Sequence, residues 1–306
     1  MDSVRKQTYG NLEIVLIDDG SADGSGRICD DLAQADPRIK VVHQENLGVS
    51  AARNNAVDAS AGEYVLFVDG DDTLLPDCVE HHVTLLERHS ADISVSAGAY
   101  STFDRRSKRC RHETVMSGPD AVKAILCYRL PIGPWAKLFR RSLLERHRLR
   151  FDPGLYNGEG FCFNIDCFLK SSKVVCSDQR VYFYRRDNLN SGTTVFRMAN
   201  WESALRALKL IEGKLKGCPP EVMRAWRFAS WRTHSDVYDY IALAKAKDKA
   251  PQLYRLSKKV TKGQAFSAFL APVSAGQKIR ALVMMVCPDL IVKMLEARRK
   301  KYGVGK

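Results

Sequence analysis

Tyr64-Val65-Leu66-Phe67-Val68-Asp69-Gly70-Asp71-Asp72-Thr73 is the stretch from which the chain is best read. Tyr64 to Val68 is a short run of aromatic and β-branched residues, the signature of a buried strand. It stops at Asp69, Gly70, Asp71 and Asp72, three carboxylates within four residues. Such a cluster repels itself unless solvent or a cation offsets the charge. Gly70 is expected to let the backbone turn tightly, so that Asp69 and Asp71 converge on one point. Hard divalent cations such as Mg²⁺ or Mn²⁺ take carboxylate oxygens and keep sites open for phosphates. A strand ending in a solvated acidic turn gives the same ten letters, so the surrounding chain has to decide.

Working outward, strands and helices alternate. Met1 to Tyr9 reads as the end of a helix, and Leu12 to Ile17 as a strand halted by Asp18, Asp19 and Gly20. A helix is expected from about Gly24 to Ala35, a strand from Ile39 to His43, and an alanine-rich helix from Gly48 to Ala59. After the Tyr64 strand come a helix from Pro76 to His89 and a strand from Asp92 to Ala97. This alternation predicts an α/β fold, a parallel sheet with helices on both faces. Ligands of such sheets bind at the carboxyl ends of the strands. Both acidic clusters, Asp18-Asp19 and Asp69 to Asp72, fall there.

The middle of the chain is less regular. Ser101 to Arg111 reads as a basic loop or edge hairpin, Asp120 to Tyr128 and Pro134 to His147 as helices. A helix is expected after Gly160, a strand from Val174 to Tyr184, and a polar loop from Arg185 to Thr194. From Trp201 on the pattern is helical, over 201–216, 219–247 and 277–301.

Charge divides the chain. Residues 1–100 carry 7 Lys/Arg against 18 Asp/Glu, whereas the whole chain of 306 residues has a formal net charge of +13. An acidic front suits a cation, and a basic rear suits an anionic partner. Nucleic acid is not the expected partner, because no recognised module or aromatic-interleaved basic motif is present. The nine Cys are scattered without a CxxC pair, and the expectation is reduced thiols in the cytoplasm. MDSVRKQTYG has no apolar core of a signal peptide, and no run of 18 apolar residues exists.

Several segments together resemble bacterial family 2 glycosyltransferases of the GT-A fold, the kind that build cell-surface polysaccharides. They are QTYGNLEIVLIDDGSADGS at 7–25, NLGVSAARNNAV at 46–57, GEYVLFVDGDD at 62–72, PWAKLFRRSLL at 134–144 and the region of Glu159. The resemblance covers roughly residues 1–195 and implies a Rossmann-like, mostly parallel sheet there, with 196–306 as a helical, basic C-terminal region. It implies an inverting, metal-dependent hexosyltransferase using a nucleotide-diphosphate sugar donor and a glycan or lipid-linked acceptor.

The resemblance also assigns residues. Asp18 and Asp19 would lie beside the nucleoside of the donor, Asp19 being the nearer. Asp69 would be the ribose-side residue of the Asp-x-Asp element and Asp71 the ligand of Mg²⁺ or Mn²⁺, with Asp72 as a substitute. Arg53 would help the cation offset the charge of the diphosphate, or else simply pair with an acidic neighbour. Family members commonly carry Glu-Asp where this chain has Glu159-Gly160, which makes Glu159 the expected general base and Asp166 the fallback. Trp135 is read as a helical core residue, and Tyr182, Tyr184 and Arg185 as packing near the acceptor groove. The family's first apolar strand has no counterpart after Met1, so an N-terminally truncated reading frame is expected. A catalytically impaired or non-catalytic remnant with the same fold is the rival to the enzyme.

The rear carries one further expectation. Residues 197–306 hold 23 Lys/Arg against 8 Asp/Glu, and Ile279 to Leu295 is largely apolar but broken by Pro288 and Asp289. An apolar stretch too short to span, followed by Arg298, Arg299, Lys300 and Lys301, suits a segment lying on the anionic inner face of the cell membrane.

Overall fold

A computed structural model of the protein describes residues 1–102, 112–185 and 198–301, with side chains up to 297. The chain divides into one unit of Met1–Ala121 with Leu130–Arg186 and another of Val122–Arg129 with Asp187–Lys306. The expected loops at 101–111 and 185–194, and the expected boundary at 195, fall largely or wholly outside the described residues.

The first unit opens with α1 (Asp2–Arg5), β1 (Ile14–Asp19), α2 (Ser25–Ala35), β2 (Ile39–Gln44), α3 (Val49–Ala59) and β3 (Tyr64–Leu66). It continues with β4 (Thr73–Leu74), α4 (Cys78–His89), β5 (Ile93–Ser96), β6 (Tyr100–Ser101), β7 (Glu113–Met116) and the start of α5 (Gly118–Leu126). After α5 come β8 (Lys137–Arg140), α6 (Arg141–Arg146), α7 (Glu159–Lys170), β9 (Val174–Ser177) and β10 (Tyr182–Tyr184).

Among the described residues the strands form three sheets, β1-β2, β4-β10-β6 and β3-β8-β5-β9-β7. The α/β class agrees with the sequence reading, but the strand directions are mixed. β1 with β2, β5 with β9 and β10 with β6 are parallel, while β3 and β5 both flank β8 antiparallel. β5 is buried throughout, whereas β1 beyond Ile14 and all of β3 are half-buried.

Helix α4 shows why the sheet is covered. Val79, Val83 and Leu86 recur at helical spacing and pack with Leu138 of β8 and Val175 of β9. On the other side of the pattern, Phe67, Phe139, Phe151 and Phe163 make an aromatic cluster, with Phe151 and Phe163 stacked at 4.0 Å and Phe67 edge-on to both. Phe67 lies two residues before Asp69 and Phe163 one turn after Glu159, so this cluster fixes the two acidic positions relative to one another.

Two sequence expectations are corrected here. Pro134 to His147 is not one helix but the strand β8 followed by α6. A fully buried strand carries consecutive apolar residues, and Leu138, Phe139, Leu143 and Leu144 also match a helical repeat, so periodicity does not separate the two. Val174 to Tyr184 is likewise two strands in different sheets, β9 and β10, separated by Asp178 to Val181.

The second unit is helical, with α8 (Met198–Lys214), α9 (Pro220–Leu243), α10 (Pro251–Gly263), α11 (Ser267–Leu270), α12 (Ala275–Val286) and α13 (Pro288–Lys301). Helices α10 and α11 occupy a stretch in which the sequence pattern predicts no element. Helix α9 is central. It packs against α8, α10, α11 and α13, and its Trp231 is fully buried with Nε1 donating to Thr261 O at 2.9 Å.

Candidate active site

The register of the β1-β2 ladder places Asp18 beside His43 and Asp19 beside Gln44. His43 consequently bonds to Asp18 Oδ2 through Nδ1 and to Asp30 Oδ1 through Nε2, both at 2.9 Å. These two bonds raise the imidazole pKa, the one to Asp18 foremost. Hydrogen bonds from Ser21 and His43 hold the Asp18 carboxyl below its ordinary value. Asp19 accepts from Gln44 Nε2 at 2.7 Å, Leu47 N at 2.8 Å and Gly48 N at 2.9 Å. It therefore braces the turn from which α3 starts, a structural role that the sequence reading did not include.

Gly48 and Gly158, the residues just ahead of α3 and α7, both hold left-handed backbone, with φ of 86° and 88°. Each lets the chain swing directly into a helix whose first turns face the carboxyl end of β3. Arg53 comes from α3 and Glu159 is the first residue of α7. Arg53 Nη2 lies 2.7 Å from Asp69 Oδ1, and its Nη1 lies 2.9 Å from Glu159 Oε1. The guanidinium also sits 5.3 Å from the centre of the Phe151 ring. Burial works against its charge, yet Asp69 and Glu159 outweigh that and raise its pKa.

The turn after β3 closes through Asp72 N donating to Asp69 O at 3.0 Å. Gly70 does not adopt the left-handed region, and a Cβ there would meet nothing within 4 Å, so the turn does not depend on glycine in the way expected. Asp72 is turned inward. Its Oδ2 accepts from the Tyr182 hydroxyl at 2.6 Å and its Oδ1 from Arg185 N at 2.8 Å. Burial raises its pKa to about 6. The same Tyr182 hydroxyl accepts from Asp69 N at 3.2 Å, so one phenol joins both ends of the acidic turn. Asp72 is thus committed to holding the turn, and Asp71 beside it is half-buried.

Around this cluster the structure locates residues whose part the sequence did not reveal. Trp135 stacks on Tyr182 at 5.2 Å and on Tyr184 at 5.3 Å, and so steadies the tyrosine that ties down the turn. Lys137 is fully buried in β8, with Nζ 2.8 Å from Pro131 O and 2.7 Å from Gly133 O. Burial lowers its pKa to about 7. Asn164 of α7 donates to Ile132 O and Gly133 O at 2.9 and 3.0 Å. The loop so pinned lies against Gly160, where a Cβ would come within 2.7 Å of Pro134 Cδ. Asp166 is two turns along α7 from Glu159, about 10 Å down the helix axis. The structure brings Glu159 to Arg53, which also holds Asp69.

The model of the family described as glycosyl transferase family 2 matches residues 1–148, the part of the chain that supplies Asp18, Asp19, Arg53 and the Asp69 turn. Residues 1–148, just under half of the chain, are thus similar to glycosyl transferase family 2. Relatives in sequence include the uncharacterized glycosyltransferase EpsJ of Bacillus subtilis, 35% identical over 202 residues, 64% of this chain and 58% of that one. Glycosyltransferase GlyA of Streptococcus pneumoniae is 35% identical over 199 residues, 60% of this chain and 28% of that one. The chain thus spans 58% of one relative's length and 28% of the other's. Among solved structures, S. aureus TarS 1–349 in complex with UDP-GlcNAc superposes with a TM-score of 0.68 at 17% identity, over 99% of this chain and 86% of that one. At that identity the likeness is one of fold, and the fold is GT-A with a helical C-terminal part.

The chemistry of the donor set bears on a cation. Asp69 and Asp71 offer hard carboxylate oxygens, the type that Mg²⁺ and Mn²⁺ prefer. Among the described residues no group of three or more His, Cys, Asp or Glu side chains gathers to hold a metal. The residues fit a cation that takes one or two protein oxygens and completes its shell with phosphate and water, not a closed protein cage.

Proposed function

We propose that this protein transfers a sugar, with inversion, from a nucleotide-diphosphate donor to a hydroxyl of a glycan or lipid-linked acceptor in cell-surface polysaccharide synthesis. The observation that carries the reading is the convergence of Asp69 and Glu159 on Arg53 at the carboxyl end of β3. Support comes also from the names of relatives, among them a succinoglycan biosynthesis protein of Rhizobium meliloti, 28% identical over 185 residues. TarS, the neighbour in fold, binds UDP-GlcNAc, which supports a nucleotide-sugar donor.

In this reading Asp18, Asp19 and Asp69 hold the nucleoside and ribose. Glu159 takes the proton of the acceptor hydroxyl as that oxygen bonds to the anomeric carbon. The bond from that carbon to the diphosphate breaks, and the diphosphate leaves with the electron pair. Asp71 would hold a Mg²⁺ or Mn²⁺ ion, whose charge offsets that of the departing diphosphate. Arg53 adds a fixed positive charge beside both carboxylates and keeps them from repelling one another.

Hydrolysis of UDP-sugars by the full chain, followed as release of UDP with and without Mn²⁺, tests the proposal. Metal-stimulated release that disappears in Asp71→Asn, with the thermal midpoint retained, is expected. Release that is unchanged in Asp71→Asn would overturn the metal assignment. No release from any donor, with UDP still bound, would favour a non-catalytic protein of the same fold.

A further inference from the structure

Helix α12 is apolar on its outward side as well as its inward one. Its inward side carries Arg280, which pairs with Asp239 and Asp236 of α9, together with the buried Ala281 and Met284. From Ile279 onward its exposed positions are all apolar. Ile279 is 61% exposed, Leu282 48%, Met285 37% and Val286 78%. At 100° per residue these four occupy an arc of about 120°, a continuous stripe along the helix. Leu290 and Met294 of α13, the helix packed against α12, are also exposed. A water-soluble helix normally turns polar side chains outward, and a cluster of large apolar side chains left in water marks a contact surface.

Charge indicates what the surface meets. Helix α10 packs against α12 and α13, and it exposes Arg255, Lys259 and Lys262. Spacings of four and three residues put these on one face. Residues 197–306 as a whole carry 23 Lys/Arg against 8 Asp/Glu. The stripe is a ridge on one helix of 12 residues, about 18 Å long, and no helix of the described residues is long and apolar enough to cross a membrane.

We propose that the outward face of α12 docks on an anionic lipid surface, with Ile279, Leu282, Met285 and Val286 entering the headgroup region and Arg255, Lys259 and Lys262 of α10 meeting lipid phosphates. Apolar insertion beside a cationic row is the combination by which a helix lies in the interface without spanning it. The surface is independent of the transferase chemistry and would serve any reaction whose acceptor is held at a membrane.

Co-sedimentation of the full chain with vesicles tests the proposal, comparing phosphatidylglycerol–phosphatidylethanolamine with phosphatidylcholine. Binding to the anionic vesicles, weakening as salt rises, is expected. The triple variant Ile279→Gln, Leu282→Gln, Val286→Gln should bind about tenfold less or worse with an unchanged far-UV circular dichroism spectrum. A second variant, Arg255→Gln with Lys259→Gln and Lys262→Gln, should lose the preference for anionic over neutral vesicles. Failure of the wild-type chain to bind anionic vesicles at low salt overturns the proposal, as does equal binding by the apolar triple variant. A wild-type dimer in the absence of lipid that the same triple variant abolishes would assign the stripe to a second copy of the chain instead.

Discussion

Arg53 Nη1 and Glu159 Oε1 lie 2.9 Å apart, although 106 residues separate them in the chain. The second arm of the same guanidinium holds Asp69 at 2.7 Å. One side chain of α3 thereby gathers the first residue of α7 and the acidic turn after β3. All three are largely shielded, with Arg53 at 12% exposure, Glu159 at 15% and Asp69 at 30%. A planar, permanently charged fork suits this better than an ammonium, because each arm reaches a different carboxylate.

Arg53→Met should therefore leave two carboxylates close together without a counter-charge. Breaking a shielded pair by removing one partner costs on the order of 3 kcal/mol, and urea unfolding should show a loss of that order. Arg53→Lys, which keeps the charge but reaches only one partner well, should fall between. Wild-type stability in Arg53→Met would mean that the two acids are held apart by something other than the arginine.

The two candidate bases differ in surroundings. Glu159→Gln should reduce sugar transfer by about 10²-fold or more, as loss of a general base does, while UDP binding measured by calorimetry persists. Asp166→Asn, about 10 Å along α7, should transfer at close to the wild-type rate. The reverse pattern would move the base to Asp166.

Apart from the two-residue strand β4, the order of elements from Leu12 to Ala97 is legible in the sequence, because the longer strands are short runs rich in apolar residues bounded by turn or cap residues. The strand β8 is not, since Leu138 and Phe139 are buried on both sides and Ala136 enters it from left-handed backbone with φ of 57°. The candidate site is legible as residues but not as a cluster. Asp69 is visible from local pattern and Glu159 only through the family resemblance, whereas their meeting on Arg53 accompanies the Phe67, Phe151 and Phe163 packing, which links segments far apart in sequence. The His43 contact with Asp18 is hidden for a similar reason, being set by the register of two parallel strands.

Asp72 gives a pH signature. Its folded pKa of about 6 stands above the ordinary 3.8, with burial the leading cause. The folded protein then binds this proton more tightly than the unfolded chain does. Its share of stability is fully present below about pH 4 and is lost as pH rises through about 6. A shift of this size corresponds to about 3 kcal/mol at most. The melting temperature of Asp72→Asn relative to wild type should accordingly rise as pH goes from 4 to 7, on top of a pH-independent offset from replacing one accepting oxygen by a donating amide. A difference that stays constant across that window would mean that Asp72 does not change charge there.

Gly160 explains a departure from the family's usual Glu-Asp pair. A Cβ at this position would lie 2.7 Å from Pro134 Cδ and 3.3 Å from Gly133 Cα. Neither neighbour is free to yield, because Lys137 and Asn164 pin the carbonyls of residues 131 to 133. Gly160→Asp is therefore not expected to supply a better base. It should destabilise the protein by about 1–3 kcal/mol through overpacking and lower transfer by displacing Glu159 at the adjacent position. Gly160→Ala should cost nearly as much, since the clash begins at Cβ, and that separates sterics from charge. Adding Pro134→Ala, which removes the ring carbon nearest the clash, should restore part of the loss, because neighbouring substitutions that share a contact are not additive. Melting curves and transfer rates for the three variants check the argument. A Gly160→Asp protein that melts like wild type and transfers faster would show that the first turn of α7 is free to move away from Pro134.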